Sequence, residues 1–201
     1  KYIESAIIDS KTNSPYSQNG QYFLDPSDKI SREYVLNIAL EACLLGFDEI
    51  QFDYIRYPDT SYKGLIYDED SNFETRTRNI NSFLLEATEA LHDIGCLASA
   101  DIFGYVLNAK NDNGIGQYLE TIVESVDFIS PMVYPSHYSR GSFGYSYPNS
   151  HPYEVVTAAL NQGLSRGINE EQLRPFLQGF WHSAEDVALN IKAAEDKGLD
   201  W

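Results

Sequence analysis

The chain has 201 residues, 43% of them hydrophobic, and carries 30 acidic against 14 basic side chains for a net charge of −16. That length holds one domain with a sizeable core and is short for two. Such a charge repels the phosphates of nucleic acid, and no run approaches the roughly 20 apolar residues of a membrane span.

In chain order, short β-rich runs alternate with longer helical ones. Tyr2–Asp9 (YIESAIID) reads as a strand, and residues 13–28 as a Ser-, Asn-, Gly- and Pro-rich loop. Ser31–Leu45 has helical apolar spacing, with Gly46 placed to end it. Glu49–Ile55 (EIQFDYI) is a strand stopped by Pro58. A polar loop through Asp68, Glu69 and Asp70 leads to a helix over Glu74–His92. Then come a strand at Cys96–Phe103, a helix at Ile115–Val126 and a strand at Phe128–Tyr134. An aromatic, Gly- and Ser-rich loop spans Ser136–Pro152. Helix Tyr153–Gly163, strand Leu173–Trp181 and helix Ala184–Lys197 close the series.

This β-α order predicts an α/β fold with a parallel sheet and helices outside it. A doubly wound open sheet competes with a (β/α)8 barrel. It usually brings a Gly-rich phosphate turn, and neither GxGxxG nor GxxxxGK[ST] occurs. Polar residues recur at the ends of the strands: Asp9, Asp53, Asp101, Tyr134 and Gln178. Barrels build active sites at that face. A complete barrel typically needs about 250 residues. About five consecutive parallel strands are therefore expected here, starting near Tyr2, with others supplied from outside these residues.

Side chains alternate along a strand, so Gln51 and Asp53 face the interior if Ile50 and Phe52 face the helices. A carboxylate there needs a partner, and Arg56 is at hand. An Asp–Arg pair that only fixes the loop is the plainer reading. Asp101 ends the next strand, in which small residues (LASAD) leave room. A glycosidase needs two carboxyl groups, one as acid and one as nucleophile or base, although Asp101 in that place also serves as a turn cap. Asp101, beside Phe103, is the better placed of the two for a raised pKa. Tyr134, His137 and Tyr138 stand at the mouth as sugar-binding candidates, with Gln178 as a hydrogen-bonding group and Trp181 as a platform. A structural role is the alternative for His137, and ordinary packing for Trp181.

The segment GFDEIQFDYIRYP (Gly46–Pro58) resembles the signature of a family of bacterial putative glycosyl hydrolase domains. The likeness extends through LDPSDKISREYVLNIALEA, SADIFGY, ISPMVYPSHY and LRPFLQGFW, and so over most of the chain. It implies a (β/α)8 barrel of which this chain, residues 1–201, holds about strands three to seven of one domain, cut at both ends. By resemblance to sugar-cleaving barrels with a strand-four aspartate, Asp53 is nucleophile or base and Asp101 the acid. The partner implied is a carbohydrate polymer or oligosaccharide, and the location secreted or in the cell envelope. A non-catalytic carbohydrate-binding barrel and a structural barrel of an envelope protein are the alternatives.

No cofactor or metal is expected. The run Asp68, Glu69, Asp70 with Asn72 lacks the spacing and glycine of an EF-hand loop and reads as a solvated loop, and no His/Cys cluster suggests zinc. The two cysteines, Cys43 and Cys96, fall on apolar faces and are expected reduced and buried. No leader opens the chain, so any signal peptide has been removed or was never included.

Overall fold

Caps and left-handed glycines bound the two longest helices. A computed structural model describes residues 3–199. In chain order the elements are β1 (Ile8–Asp9), β2 (Ser14–Pro15), β3 (Ser17–Gln18), β4 (Gln21–Tyr22), α1 (Lys29–Leu44), β5 (Glu49–Phe52), β6 (Leu65–Ile66), α2 (Phe73–His92), β7 (Leu97–Phe103), α3 (Leu119–Val123), β8 (Phe128–Val133), α4 (Pro152–Ser165), β9 (Phe176–Leu177) and α5 (Ala184–Glu195). Asp28 caps α1 by accepting the Ile30 and Ser31 N–H groups, and Asn72 caps α2 through Thr75 N–H. Ser183 and Asp186 form a reciprocal capping box on α5. Gly46 and Gly95, with φ of 104° and 87°, turn the chain out of α1 and α2.

The described residues form two compact units. One takes the chain up to Ile50 with Ile55–Ala98 and Asn111–Ser125; the other takes Gln51–Tyr54, Ser99–Lys110 and the chain from Val126.

In the first unit β1 pairs antiparallel with β2 and with β6. The parallel strand expected over Tyr2–Asp9 is therefore corrected, with Tyr2 itself outside the described residues. Ile3–Ser5 is a 3-10 turn, and Ile7 N–H donates to Phe23 O while Tyr16 N–H donates to Ile7 O. β2 comes from residues 13–28, read as loop, where β3 and β4 also pair, and β6 comes from the polar loop after Pro58. The core of this unit holds Ile7, Ile80, Leu84, Leu91, Ile115 and Ile122, all buried. Helix α3 is far shorter than the expected Ile115–Val126. Asp112 explains this: its carboxylate accepts the Gly114 and Gly116 N–H groups and a bidentate pair from Arg76. Both glycines have φ above 80°, which a helix excludes.

Cys43 and Cys96 are joined in a disulfide, which corrects the expectation of free thiols. Both are buried, and their Cα atoms lie 6.2 Å apart, within bridging range. The same apolar surroundings that suggested inert thiols bring the two sulfurs together.

The larger sheet runs β5–β7–β8–β9. β7 and β8 pair in parallel with Asp101 opposite Ser130; β8 and β9 also pair in parallel, Met132 opposite Phe176 and Val133 opposite Leu177. This sheet has four strands where about five were expected, because the first expected one pairs elsewhere. β9 is two residues long rather than the expected nine of Leu173–Trp181. Pro175 interrupts it, lacking an N–H for the ladder. In the second unit α4 and α5 pack together, and Ala100, Ile102, Leu107, Ile129, Val133, Val156 and Leu160 form a buried core. The chain leaving β7 passes close to β8 at Gly104, where a Cβ would lie 2.4 Å from Met132 O.

Candidate active site

Every group in this site belongs to the second unit, and most stand at or just beyond the C-terminal ends of its strands. Two-residue alternation puts Gln51 with Asp53 and Ser99 with Asp101. Gln51 Nε2 donates to Asp101 Oδ1 at 2.6 Å and to Ser130 Oγ at 2.9 Å, so one amide ties three neighbouring strands together. The serines opposite it are small enough to leave space for that side chain.

Asp101 is buried, only 7% exposed, whereas Asp53 is exposed. Burial first, and then the negative charge of Asp53, push the Asp101 carboxyl up to about 7, while the Gln51 bond pulls the other way. The Tyr134 phenol is raised by burial and then by the charges of Asp101 and Asp53. Three groups thus share one electrostatic field. Two carboxyl groups in unlike environments, one protonated near neutral pH and one solvated, form the pattern from which acid and base roles are assigned. The Asp53 carboxylate accepts the N–H of Tyr54, which turns the chain with φ of 54°.

Aromatic rings follow. Tyr134 meets His137 and Phe180 edge to face, with centroids 5.2 and 5.1 Å apart. Phe180 in turn meets Trp181 edge to face at 5.2 Å. Trp181 is 80% exposed and has φ of 58°. A bulky residue in the left-handed region costs about 1–3 kcal/mol and persists only where its surroundings impose it. Here they do. Gln178, fully buried, accepts Ser136 N–H and donates to Phe180 O and to Asn149 Oδ1. Asn190 Nδ2 donates to Gln178 O, and His182 lies within hydrogen-bond distance of both Asn149 and Asn190.

The structure brings Asp53, Asp101, Tyr134, His137 and Trp181 into this unit in exposed or ionisation-coupled positions. It places three other candidates differently. Tyr138 is buried against Phe143, and burial raises its phenol. Gln178 spends its amide on the backbone and on Asn149. Arg56 belongs to the first unit, donates to Tyr57 O and lies over the Phe23 ring. Phe180 and the Asn149–His182–Asn190 group carried no sequence signal, because reading LRPFLQGFW as one strand hid the turn. Gln51 was on the right face by alternation, but only the fold supplies its partners.

A family model described as "Putative glycosyl hydrolase domain" matches residues 1–200. No curated protein matches the sequence. Among solved structures, the PgaB (BpsB) glycoside hydrolase domain from Bordetella bronchiseptica aligns with TM-score 0.66 and 15% identity, over 96% of this chain and 62% of that one. The Ostrinia furnacalis Group IV chitinase in complex with allosamidin aligns with TM-score 0.52 and 18% identity, over 75% of this chain and 40% of its own. A class V chitinase from Pseudomonas fluorescens Pf-5 aligns with TM-score 0.52 and 15% identity, over 74% and 41%. At these identities the likeness is one of fold, and the chain spans less than two thirds of each of these neighbours.

Proposed function

The chain belongs to this family of glycosyl hydrolase domains, and from that premise we propose that it cleaves glycosidic bonds of a polysaccharide with Asp101 as general acid and Asp53 as nucleophile or base. The observation that carries the proposal is the unlike pair: a buried carboxyl raised to about 7 beside an exposed one. At neutral pH Asp101 keeps a useful fraction of its proton. It can deliver that proton to the leaving oxygen as the glycosidic bond breaks. Asp53, exposed beside it, faces the sugar carbon, either attacking it directly or drawing a proton from the water that attacks. Gln51 fixes the Asp101 carboxyl and holds one of its oxygens, which orients the acid.

Tyr134, His137, Phe180 and Trp181 supply the sugar platform, with Trp181 the most exposed. Gln178 supports that platform through its bonds to Phe180 O and Ser136 N–H. Amino-sugar polymers are the first substrates to test, because a chitinase of this fold binds allosamidin. Residues 1–201 belong, on this reading, to one barrel domain. A disulfide persists in oxidising surroundings, which supports a secreted or envelope location. A non-catalytic sugar-binding barrel would keep the same platform; it is separated from an enzyme by turnover. The test is release of reducing ends from amino-sugar polysaccharides, lost in Asp101→Asn and Asp53→Asn proteins that keep their fold.

A further inference from the structure

His182 closes a ring of hydrogen bonds around the strained aromatic turn. Its Nε2 lies 2.9 Å from Asn149 Oδ1, and its Nδ1 lies 3.1 Å from Asn190 Nδ2. Asn190 is fully buried, and its Nδ2 also donates to Gln178 O at 2.9 Å. An amide nitrogen only donates. The Gln178 carbonyl therefore fixes which end of Asn190 faces inward, and the second N–H of that nitrogen points at His182 Nδ1. Nδ1 must accept. The proton of a neutral ring then sits on Nε2 and is donated to Asn149 Oδ1, which also receives Gln178 Nε2 at 3.3 Å. Gln178 donates as well to Phe180 O, one residue before Trp181.

We propose that His182 is a positioning residue for the Phe180–Trp181 platform: as the neutral Nε2–H tautomer it locks the turn, and a proton on Nδ1 unlocks it. An imidazolium would set N–H against N–H at Asn190. Rotating the Asn190 amide to satisfy His182 would instead set Oδ1 against the Gln178 carbonyl oxygen. Either way one bond of the ring is lost, and a left-handed tryptophan loses part of what holds it. Asp186, on α5 with Asn190, is held low first by its bonds from Ser183 and also by the nearby His182 ring. It is bound in the Ser183 capping box, which occupies its carboxylate. Asn149, Asn190 and Gln178, the side chains bonded into the ring, are uncharged.

This role rests on the platform reading above, so the test separates the two. In sugar-free, histidine-15N-labelled protein, long-range 1H–15N spectra should show His182 as the Nε2–H tautomer at neutral pH. The Trp181 indole signal, assigned by its loss in Trp181→Ala, should shift along the same titration curve as His182 when the pH falls. His182→Phe keeps the ring volume without the nitrogens; its Trp181 signal should resemble the low-pH wild type and stay there at every pH. Binding of penta-N-acetylchitopentaose should weaken about fivefold in that variant, the loss of roughly one neutral hydrogen bond. Its affinity should also lack the wild-type decline across the His182 titration. An Nδ1–H tautomer, an imidazolium at neutral pH, or a Trp181 signal indifferent to both pH and His182→Phe would overturn the proposal. Absence of chitopentaose binding by wild type, with the tautomer and the coupled Trp181 shift observed, would overturn the platform reading alone.

Discussion

Replacing Asp101 with Asn should abolish hydrolysis and yet stabilise the folded protein at alkaline pH. An unfolded aspartate titrates near 3.8, whereas Asp101 in the fold is raised to about 7. Between those values the native state binds more protons than the unfolded chain, so stability falls as pH rises through that window and is flat above it. The difference is about three units, and at 1.36 kcal/mol per unit the ceiling is about 4 kcal/mol. Relaxation of the site and water entry around the ionised carboxylate take up part of this, leaving about 2 kcal/mol as the working figure. Asn has nearly the shape of Asp and still offers Oδ1 to Gln51, so packing changes little. Urea unfolding of both proteins at pH 4, 6, 8 and 9 measures this. The variant should match wild type at pH 4 and exceed it by about 2 kcal/mol at pH 8 and 9. A difference between the two proteins that does not change with pH would refute the reasoning.

Asp53→Asn should lower the Asp101 pKa, followed by carboxyl 13C NMR, but leave it above 3.8, since burial is the larger cause and the Asp53 charge the second; an unchanged titration would remove the coupling. Trp181→Ala should weaken oligosaccharide binding on the order of tenfold for one lost stacking platform, with an unchanged circular-dichroism spectrum. Trp181→Gly should lose the same affinity but gain about 1 kcal/mol in urea unfolding, because glycine tolerates the positive φ; equal stability of the Ala and Gly proteins would deny the strain. Replacing both Cys43 and Cys96 with Ala should cost about 4 kcal/mol, the loop-closure value for a separation of 53 residues. Thiol labelling of the native, unreduced protein should find neither sulfur, and rapid labelling would contradict the bridge.

Much of the second unit was legible because its elements obey simple periods. Alternation in EIQFD placed Gln51 with Asp53, and the small residues in LASAD leave room beside Asp101, where the Gln51 amide reaches its carboxylate. In the first unit, apolar spacing and terminal glycines bounded α1 and α2 to within two residues. The amino-terminal segment misled because alternation in YIESAIID says nothing about which partner a strand takes. Its partners proved to be antiparallel segments of two polar loops. The helix drawn from Ile115 ran through Gly116, which is left-handed and donates its N–H to Asp112, a carboxylate that Arg76 holds in place. Cys43 and Cys96 are 53 residues apart, and their meeting depends on how α1 lies beside the entry to β7. Gln178 ends a strand as expected, but whether an amide at that place faces a ligand or the backbone is set by a turn that propensity does not foresee.

The most direct measurement is the release of reducing ends from chitin and other amino-sugar polysaccharides by the protein across pH 4–9. Hydrolysis by this pair predicts release by wild type that declines as pH rises through about 7, where Asp101 gives up its proton. It also predicts loss of nearly all release in folded Asp101→Asn and Asp53→Asn proteins. Undiminished release by either variant, or tight binding of these polymers by wild type without any release, would contradict it.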